Sequence, residues 1–170
     1  MARKPYVIVV GTDYSAHGQR AVRAAAREAA KHPLAQLYVV HVVPRVPLDH
    51  DLPPLAFSGF GTTLAEAYEA DAILKLDEHV ADAIANLPLA ATVELDVRVI
   101  TGDPADKLIA LAWDRGANLL VVGTRGREHP SGWALGSVAE AVVRQATAPV
   151  AVIGPRVRLS QATPSPLSLS

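Results

Sequence analysis

The feature that most constrains the fold is a set of short apolar runs, each about the length of a strand, separated by stretches with helical periodicity. Four of these runs are predominantly apolar and β-branched and are followed by Gly or Pro, a pattern typical of strands buried on both faces of a parallel sheet. They are Tyr6–Val10, Leu37–Val43, Leu119–Val122 and Val150–Ile153. A fifth run, Val93–Ile100, alternates apolar and polar residues, so we expect it to meet water on one face or along an open edge.

Four helices are expected between these strands. Their starts are indicated by a Ser or Asp N-cap, a capping box or a Pro in the first turn, and their ends by Gly or Pro. The expected bounds are from the Ser15 cap to about Ala29, from the Thr63 and Glu66 capping box to about Asn86, from Asp103 to Gly116, and from about Gly136 to Ala146.

Strict alternation of strands and helices predicts an α/β fold with an open, doubly wound, five-stranded parallel sheet and helices on both faces. With the strand order 3-2-1-4-5, ligands bind beyond the carboxyl ends of the strands. We expect one domain over residues 1–154, with Pro44–Gly61 as a long loop and 155–170 as a disordered tail.

The composition excludes several classes of function. Lys and Arg number 16 against 17 Asp and Glu, so the net charge of -1 leaves no general basic field to attract nucleic acid or an anionic membrane. The absence of cysteine excludes thiolate chemistry and favours a cytoplasmic location. No apolar run approaches the roughly 20 residues of a membrane-spanning helix. We expect neither nucleic acid nor a membrane as a partner.

A glycine-rich segment follows the fourth strand. Its spacing, Gly-x2-Gly-x9-Gly-Ser, runs over Gly123, Gly126, Gly136 and Ser137. Glycines at a strand exit let backbone amides approach a phosphate, and the start of a helix adds free N–H groups and the positive end of the helix dipole. Arg125 and Arg127 add positive charge suited to a polyphosphate. No Gly-Lys-Ser/Thr follows, so the segment is not a Walker A loop.

Three further side chains stand out. Asp13 follows the first strand and could bind a ribose hydroxyl, a base amine or a metal-bound water, or could form a turn or cap the next helix. His41 lies in a buried strand and is expected to be a hydrogen-bonded core residue rather than a ligand. Trp113 is expected to pack against the core.

Together these residues resemble the universal stress protein family, over about residues 5–154. The resemblance rests on the glycine spacing and on Thr12-Asp13-x-Ser15, His41-Val42, Gly102-Asp103-Pro104-Ala105 and Ala148-Pro149-Val150. It implies an adenine-nucleotide site, with ATP and Mg²⁺ as the expected ligands. The residues it implies are Thr12 and Asp13 beside the nucleoside, Val42 against adenine through its backbone, Gly123 and Gly126 along the ribose and phosphates, and Gly136, Ser137 and Val138 on the phosphates. The charge of Arg125 and Arg127 adds these two residues to the predicted site.

The resemblance also implies a homodimer through the edge strand Val150–Ile153, whose apolar, uncharged sequence would permit pairing. The function it favours is regulatory: nucleotide occupancy modulates dimer or partner contacts in a stress response. Two alternatives stay open at this point. One is a slow Mg²⁺-dependent ATPase or autophosphorylating protein that uses Ser137 or another hydroxyl, and the other is an interaction dimer without nucleotide.

Overall fold

The structure, a computed structural model, describes residues 4–43, 64–89, 92–124 and 135–155. The predictions about the loop Pro44–Gly61, the tail beyond Pro155, and the site residues Arg125, Gly126 and Arg127 lie outside these residues.

The described residues alternate between strand and helix as expected, with five strands and four helices. The elements are β1 (Tyr6–Thr12), α1 (Ala16–Ala29), β2 (Ala35–Val43), α2 (Leu64–Ile84), β3 (Val93–Thr101), α3 (Pro104–Asp114), β4 (Leu119–Gly123), α4 (Ser137–Gln145) and β5 (Val150–Ile153).

All neighbouring strands are parallel and their order is β3-β2-β1-β4-β5, which confirms the predicted sheet. One face packs against α1 and α2 through a core that includes Ile8, Leu37 and Leu76. The other packs against α3 and α4 around Leu108 and Leu120. Central strands buried on both faces explain the continuous apolar runs of β1 and β2.

The helix starts follow their local signals. The Ser15 side chain accepts a hydrogen bond from the Gly18 N–H at 3.0 Å, and Asp103 accepts one from the Asp106 N–H, also at 3.0 Å. Gly116, with a φ of +58°, follows the C-cap of α3 in the left-handed conformation that glycine adopts without strain.

The two edge strands differ in the expected direction. β3 is half-exposed and carries Glu94, Asp96 and Arg98, as its alternating sequence predicts. β5 is also half-exposed but has no charged residue. The packing predicted for Trp113 is wrong: the side chain is 70% exposed, because α3 turns Ala105, Leu108 and Ala112 toward the sheet instead.

Candidate functional site

The carboxyl ends of β1, β2 and β4 meet at one edge of the sheet, and this edge brings the described candidate residues together. Thr12 pairs with His41, the residue before Val42. Val10 pairs with Val121. Thr12 and Gly123 lie two residues further along their strands, so they end β1 and β4 at the same level of the sheet. Parallel strands that end side by side leave a crevice beyond their ends, which is where α/β sheets bind ligands.

The turn after β1 has a defined conformation. The Asp13 Oδ1 accepts a hydrogen bond from the Ser15 N–H at 3.1 Å. Asp13 therefore forms a turn with its side chain, one of the roles expected for it. Tyr14 adopts a φ of +64°, a left-handed conformation that is uncommon for a residue other than glycine. The Thr12 hydroxyl oxygen accepts a long hydrogen bond, 3.4 Å, from the Tyr14 N–H. Thr12 and Asp13 are therefore held by contacts within the turn.

Gly18, in the first turn of α1, lies directly against this turn. A Cβ atom at Gly18 would lie 2.5 Å from the Thr12 Oγ1, 2.9 Å from the Asp13 Oδ1 and 3.1 Å from the Asp13 backbone nitrogen. Only a residue without a side chain allows this approach, so Gly18 belongs to the architecture of the site.

Two histidines contact Thr12 from neighbouring elements. The Nδ1 of His41, a buried residue of β2, lies 2.9 Å from the Thr12 carbonyl oxygen. A carbonyl can only accept, so the His41 Nδ1 carries a proton and donates it. The Nε2 of His79, on α2, lies 2.9 Å from the Thr12 Oγ1. The expectation that His41 is a hydrogen-bonded core residue is confirmed.

Tyr14 joins both histidines. Its ring centroid lies 4.1 Å from that of His41 and 5.6 Å from that of His79, the second pair edge-to-face. Its hydroxyl donates a hydrogen bond to the Ala72 carbonyl oxygen at 2.8 Å. Burial lowers the pKa of His79 below its ordinary value, although Asp13 and Asp82 act in the opposite direction.

The end of β4 is hydrogen-bonded to β5 and to the residue that begins α4. The Thr124 N–H donates to the Ile153 carbonyl oxygen at 3.0 Å, and the Gly136 N–H donates to the Thr124 carbonyl oxygen at 2.8 Å. A Cβ at Gly123 would lie 3.0 Å from the backbone carbon of His17, so this glycine permits close packing between β4 and α1. Close packing is a reason for glycine here that applies with or without a ligand.

The buried Thr124 Oγ1 has no hydrogen-bond partner among the described residues. An unpaired buried hydroxyl costs free energy unless another molecule supplies the bond. Its position directly after β4 makes it a candidate ligand contact.

α4 begins beside Thr124. Gly136 is its N-cap and offers no side chain to the first amide groups of the helix, while Ser137 is exposed and Val138 half-buried. These amide groups and the positive end of the helix dipole can receive an anion. Val42 is 8% exposed at the end of β2, so what it can offer a ligand is chiefly its backbone.

The sequence patterns do not distinguish Gly18, His79 or Thr124 as site residues. A glycine within an alanine-rich helix was one available signal for Gly18, because it departs from helix preference. Thr124 stands inside the glycine segment and could have been found there. His79 had no local signal, since its partner lies 67 residues away in the sequence.

The opposite edge of the sheet has a shallow cleft of about 310 Å³. Its lining includes Lys4, Tyr6, His32 and Asn118. The Tyr6 and His32 rings are stacked with centroids 3.7 Å apart. None of the residues that the resemblance implicates lies there.

The described part of the chain contains no group of three or more His, Asp or Glu side chains arranged to hold a metal ion. Nor does it contain a helix long and apolar enough to cross a membrane.

Comparison with known proteins accounts for this architecture. Residues 6–154 match the sequence model of the family described as "Universal stress protein family". The chain belongs to the universal stress protein family. A universal stress protein of Thermus aquaticus is 30% identical over 147 residues, which cover 86% of this chain and 96% of that protein. One from Mycobacterium tuberculosis is 32% identical over 149 residues, covering 86% and 94%.

Solved structures of universal stress proteins have the same fold. A universal stress protein in complex with cAMP is 29% identical, with a TM-score of 0.62, and the match covers 88% of this chain and 97% of the other. The universal stress protein from Archaeoglobus fulgidus in complex with dAMP is 26% identical, with a TM-score of 0.57 and coverage of 87% and 97%. Both of these family members are therefore described with an adenine nucleotide.

Proposed function

We propose that this universal stress protein binds an adenine nucleotide, with ATP as the expected ligand, at the carboxyl edge of its sheet. The observation that carries the proposal is the convergence of the Thr12–Asp13 turn, the end of β2 at Val42 and the start of α4 at one edge. The cAMP and dAMP complexes of related proteins support an adenine nucleotide as the ligand class.

Each part of this edge suits a different part of a nucleotide. We assign the nucleoside to Thr12 and Asp13, with the Val42 backbone against adenine. Backbone amides of a β-strand end can read the edge of a base without any special side chain. In this assignment the Asp13 Oδ1 accepts the hydrogen bond of the turn, and the carboxylate is also assigned to a ligand hydroxyl.

The phosphates are assigned to the other side, at Gly123 and at Gly136, Ser137 and Val138. The N-terminal amide groups of α4 lie on this side, as does the Thr124 hydroxyl, which has no hydrogen-bond partner among the described residues. Both kinds of group can donate hydrogen bonds to anionic oxygens. Arg125, Gly126 and Arg127 are proposed to complete the phosphate contacts. Mg²⁺ is proposed to accompany ATP, bound through the phosphates and water rather than by a cage of protein carboxylates.

We further propose that the chain forms a homodimer through β5. The two outer strands of the sheet, β3 and β5, are both half-exposed. β3 carries an ion pair between Asp96 and Arg98, and charges along an outer strand oppose pairing with another chain. β5 (Val150–Ile153) lacks such protection. Nucleotide occupancy at the adjoining end of β4 is then placed to modulate the dimer or its partner contacts, which is the proposed regulatory role in the stress response.

A pair of substitutions at Gly136 tests the phosphate assignment. Its φ of -67° and ψ of 156° suit any residue, and Asp and Asn are both good N-caps, so neither Gly136→Asp nor Gly136→Asn should unfold α4. They differ by one negative charge beside the assigned phosphates. In calorimetric titrations with Mg²⁺ and ATP we expect Gly136→Asp to bind at least about ten-fold more weakly than Gly136→Asn, because like charges that close together repel.

Adenosine, which has no phosphate, is the matched ligand, and its binding should differ little between the two variants. Equal ATP affinities in both variants would contradict the placement of phosphates at α4. If the parent protein binds no adenine nucleotide at millimolar concentration, the proposed function is wrong.

A further inference from the structure

His79 has no place in the nucleotide site as assigned, yet it contacts that site directly. It comes from α2, and its Nε2 lies 2.9 Å from the Thr12 Oγ1. We propose that His79 is a positioning residue, which holds the Thr12 hydroxyl and thereby the Thr12–Asp13 turn in the conformation that receives the nucleoside. This inference rests on the proposed function, because it concerns the same site.

The hydrogen bond between Thr12 and His79 joins two elements that are distant in the sequence. The Thr12 oxygen accepts from the Tyr14 N–H, and the same hydroxyl can donate to the His79 Nε2 or accept from it. A neutral His79 ring forms the bond in either tautomer. The lowered pKa of His79 agrees with a neutral ring at pH 7.

Thr12 has little room to adjust its position. Its Oγ1 lies 2.5 Å from the point where a side chain on Gly18 would begin, and its carbonyl oxygen accepts from the buried His41. With the carbonyl fixed by β2 and the hydroxyl fixed by α2, Thr12 is held from two sides. His79 supplies one of these two contacts.

The turn after β1 has an unusual backbone conformation at Tyr14. A residue other than glycine keeps a positive φ only when its surroundings determine it, and Tyr14 is determined largely by α2. Its hydroxyl bonds the Ala72 carbonyl and its ring meets the edge of His79. Asp13 lies between Thr12 and Tyr14, so the position of its carboxylate depends on both.

The charged and titratable groups around His79 fit a neutral, hydrogen-bonded ring. Asp13 follows β1, Asp82 lies one turn further along α2, and His41 faces it from β2. Tyr14 contacts it through its ring. His79 has no ion-pair partner within 4.0 Å among the described residues, so its bond to Thr12 is the specific polar contact that the structure gives it.

The test compares His79→Gln with His79→Asn. The amide of glutamine reaches about as far as the Nε2 of histidine, whereas that of asparagine stops short, so only the first variant keeps the bond to Thr12. In calorimetric titrations with ATP and Mg²⁺ we expect His79→Asn to bind about five- to ten-fold more weakly than the parent, the size of one lost hydrogen bond. His79→Gln should stay within about two-fold of the parent.

Thr12→Val supplies a second, independent measurement. If His79 acts through the Thr12 hydroxyl, Thr12→Val weakens ATP binding, and adding His79→Asn to it has little further effect. Equal affinities of His79→Gln and His79→Asn, or additive losses in the double variant, overturn the inference. Absence of ATP binding in the parent overturns the proposed function as well, so the two failures are told apart by the parent alone.

Discussion

Replacing Gly18 with alanine tests whether the Thr12–Asp13 turn is packed as described. In most helices this change stabilises, by up to about 1 kcal/mol, because alanine has the higher helix propensity. Here the new Cβ would lie 2.5 Å from the Thr12 Oγ1 and 2.9 Å from the Asp13 Oδ1. Heavy atoms at van der Waals contact are about 3.5 Å apart, so either the turn or the helix must move.

The size of the effect follows from two opposing contributions. Overpacking costs about 1–3 kcal/mol, and the gain in helix propensity offsets up to about 1 kcal/mol of it. We therefore expect Gly18→Ala to lower the free energy of unfolding by up to about 3 kcal/mol and the Tm by up to about 12 °C. Because Thr12 and Asp13 are the groups displaced, ATP affinity should fall as well.

Scanning calorimetry and urea denaturation measure the stability, with Gly154→Ala as the matched control. A Cβ at Gly154 would meet its nearest neighbour, the Thr124 Cγ2, at an ordinary 3.5 Å, so this variant should unfold within about 0.5 kcal/mol of the parent. An increase in the Tm of Gly18→Ala, as helix propensity alone demands, would refute the packing of the turn.

Four further predictions concern other parts of the chain. Burial lowers the pKa of His79 below its ordinary value of 6.5, so on acidification the unfolded chain binds this proton before the folded chain does. The free energy of unfolding, measured by urea denaturation from about pH 8 to pH 5, should therefore fall below about pH 6.5. The fall should be less steep in His79→Gln, which lacks the titrating group. Asn118→Ala removes the acceptor, at 2.8 Å, of the buried Val7 N–H and should cost about 1–3 kcal/mol in the same assay, whereas Asn118→Asp should cost less. Trp113→Gln should change stability by less than about 0.5 kcal/mol, because the side chain is 70% exposed. Val152→Lys places a charge on β5 and should give a monomer by sedimentation velocity where the parent gives a dimer; dimers in both would contradict pairing through β5.

The parts of the fold that local signals determine could be predicted from the sequence. Ser15 and Asp103 cap their helices, and Gly116 ends the third, because caps depend on residues only a few positions apart. Alternation and the handedness of crossovers leave few topologies, and the predicted order 3-2-1-4-5 is one of them. The edge position of β3 was readable in its alternating charges.

The contacts that support the site could not be predicted in this way. His79 meets Thr12 across 67 residues, and nothing in the helical pattern of α2 distinguishes it from a half-buried surface histidine. The left-handed backbone conformation of Tyr14 could not be predicted from the sequence either, because it depends on tertiary contacts with Ala72 and two histidines. The prediction for Trp113 is wrong because the size of the side chain does not decide which face of a helix is buried. Ala112 occupies the inward position of α3, and the neighbouring Trp113 therefore lies on the exposed face.

Backbone amide shifts mapped by ¹H–¹⁵N NMR during titration with ATP and Mg²⁺ would locate the nucleotide on the protein. We expect the largest shifts at the carboxyl edge, at Thr12–Asp13, Val42, Gly123–Thr124 and Gly136–Val138. The largest shifts at the cleft of Tyr6, His32 and Asn118 on the opposite edge, or no shifts at millimolar ATP, would contradict a nucleotide site at the carboxyl edge.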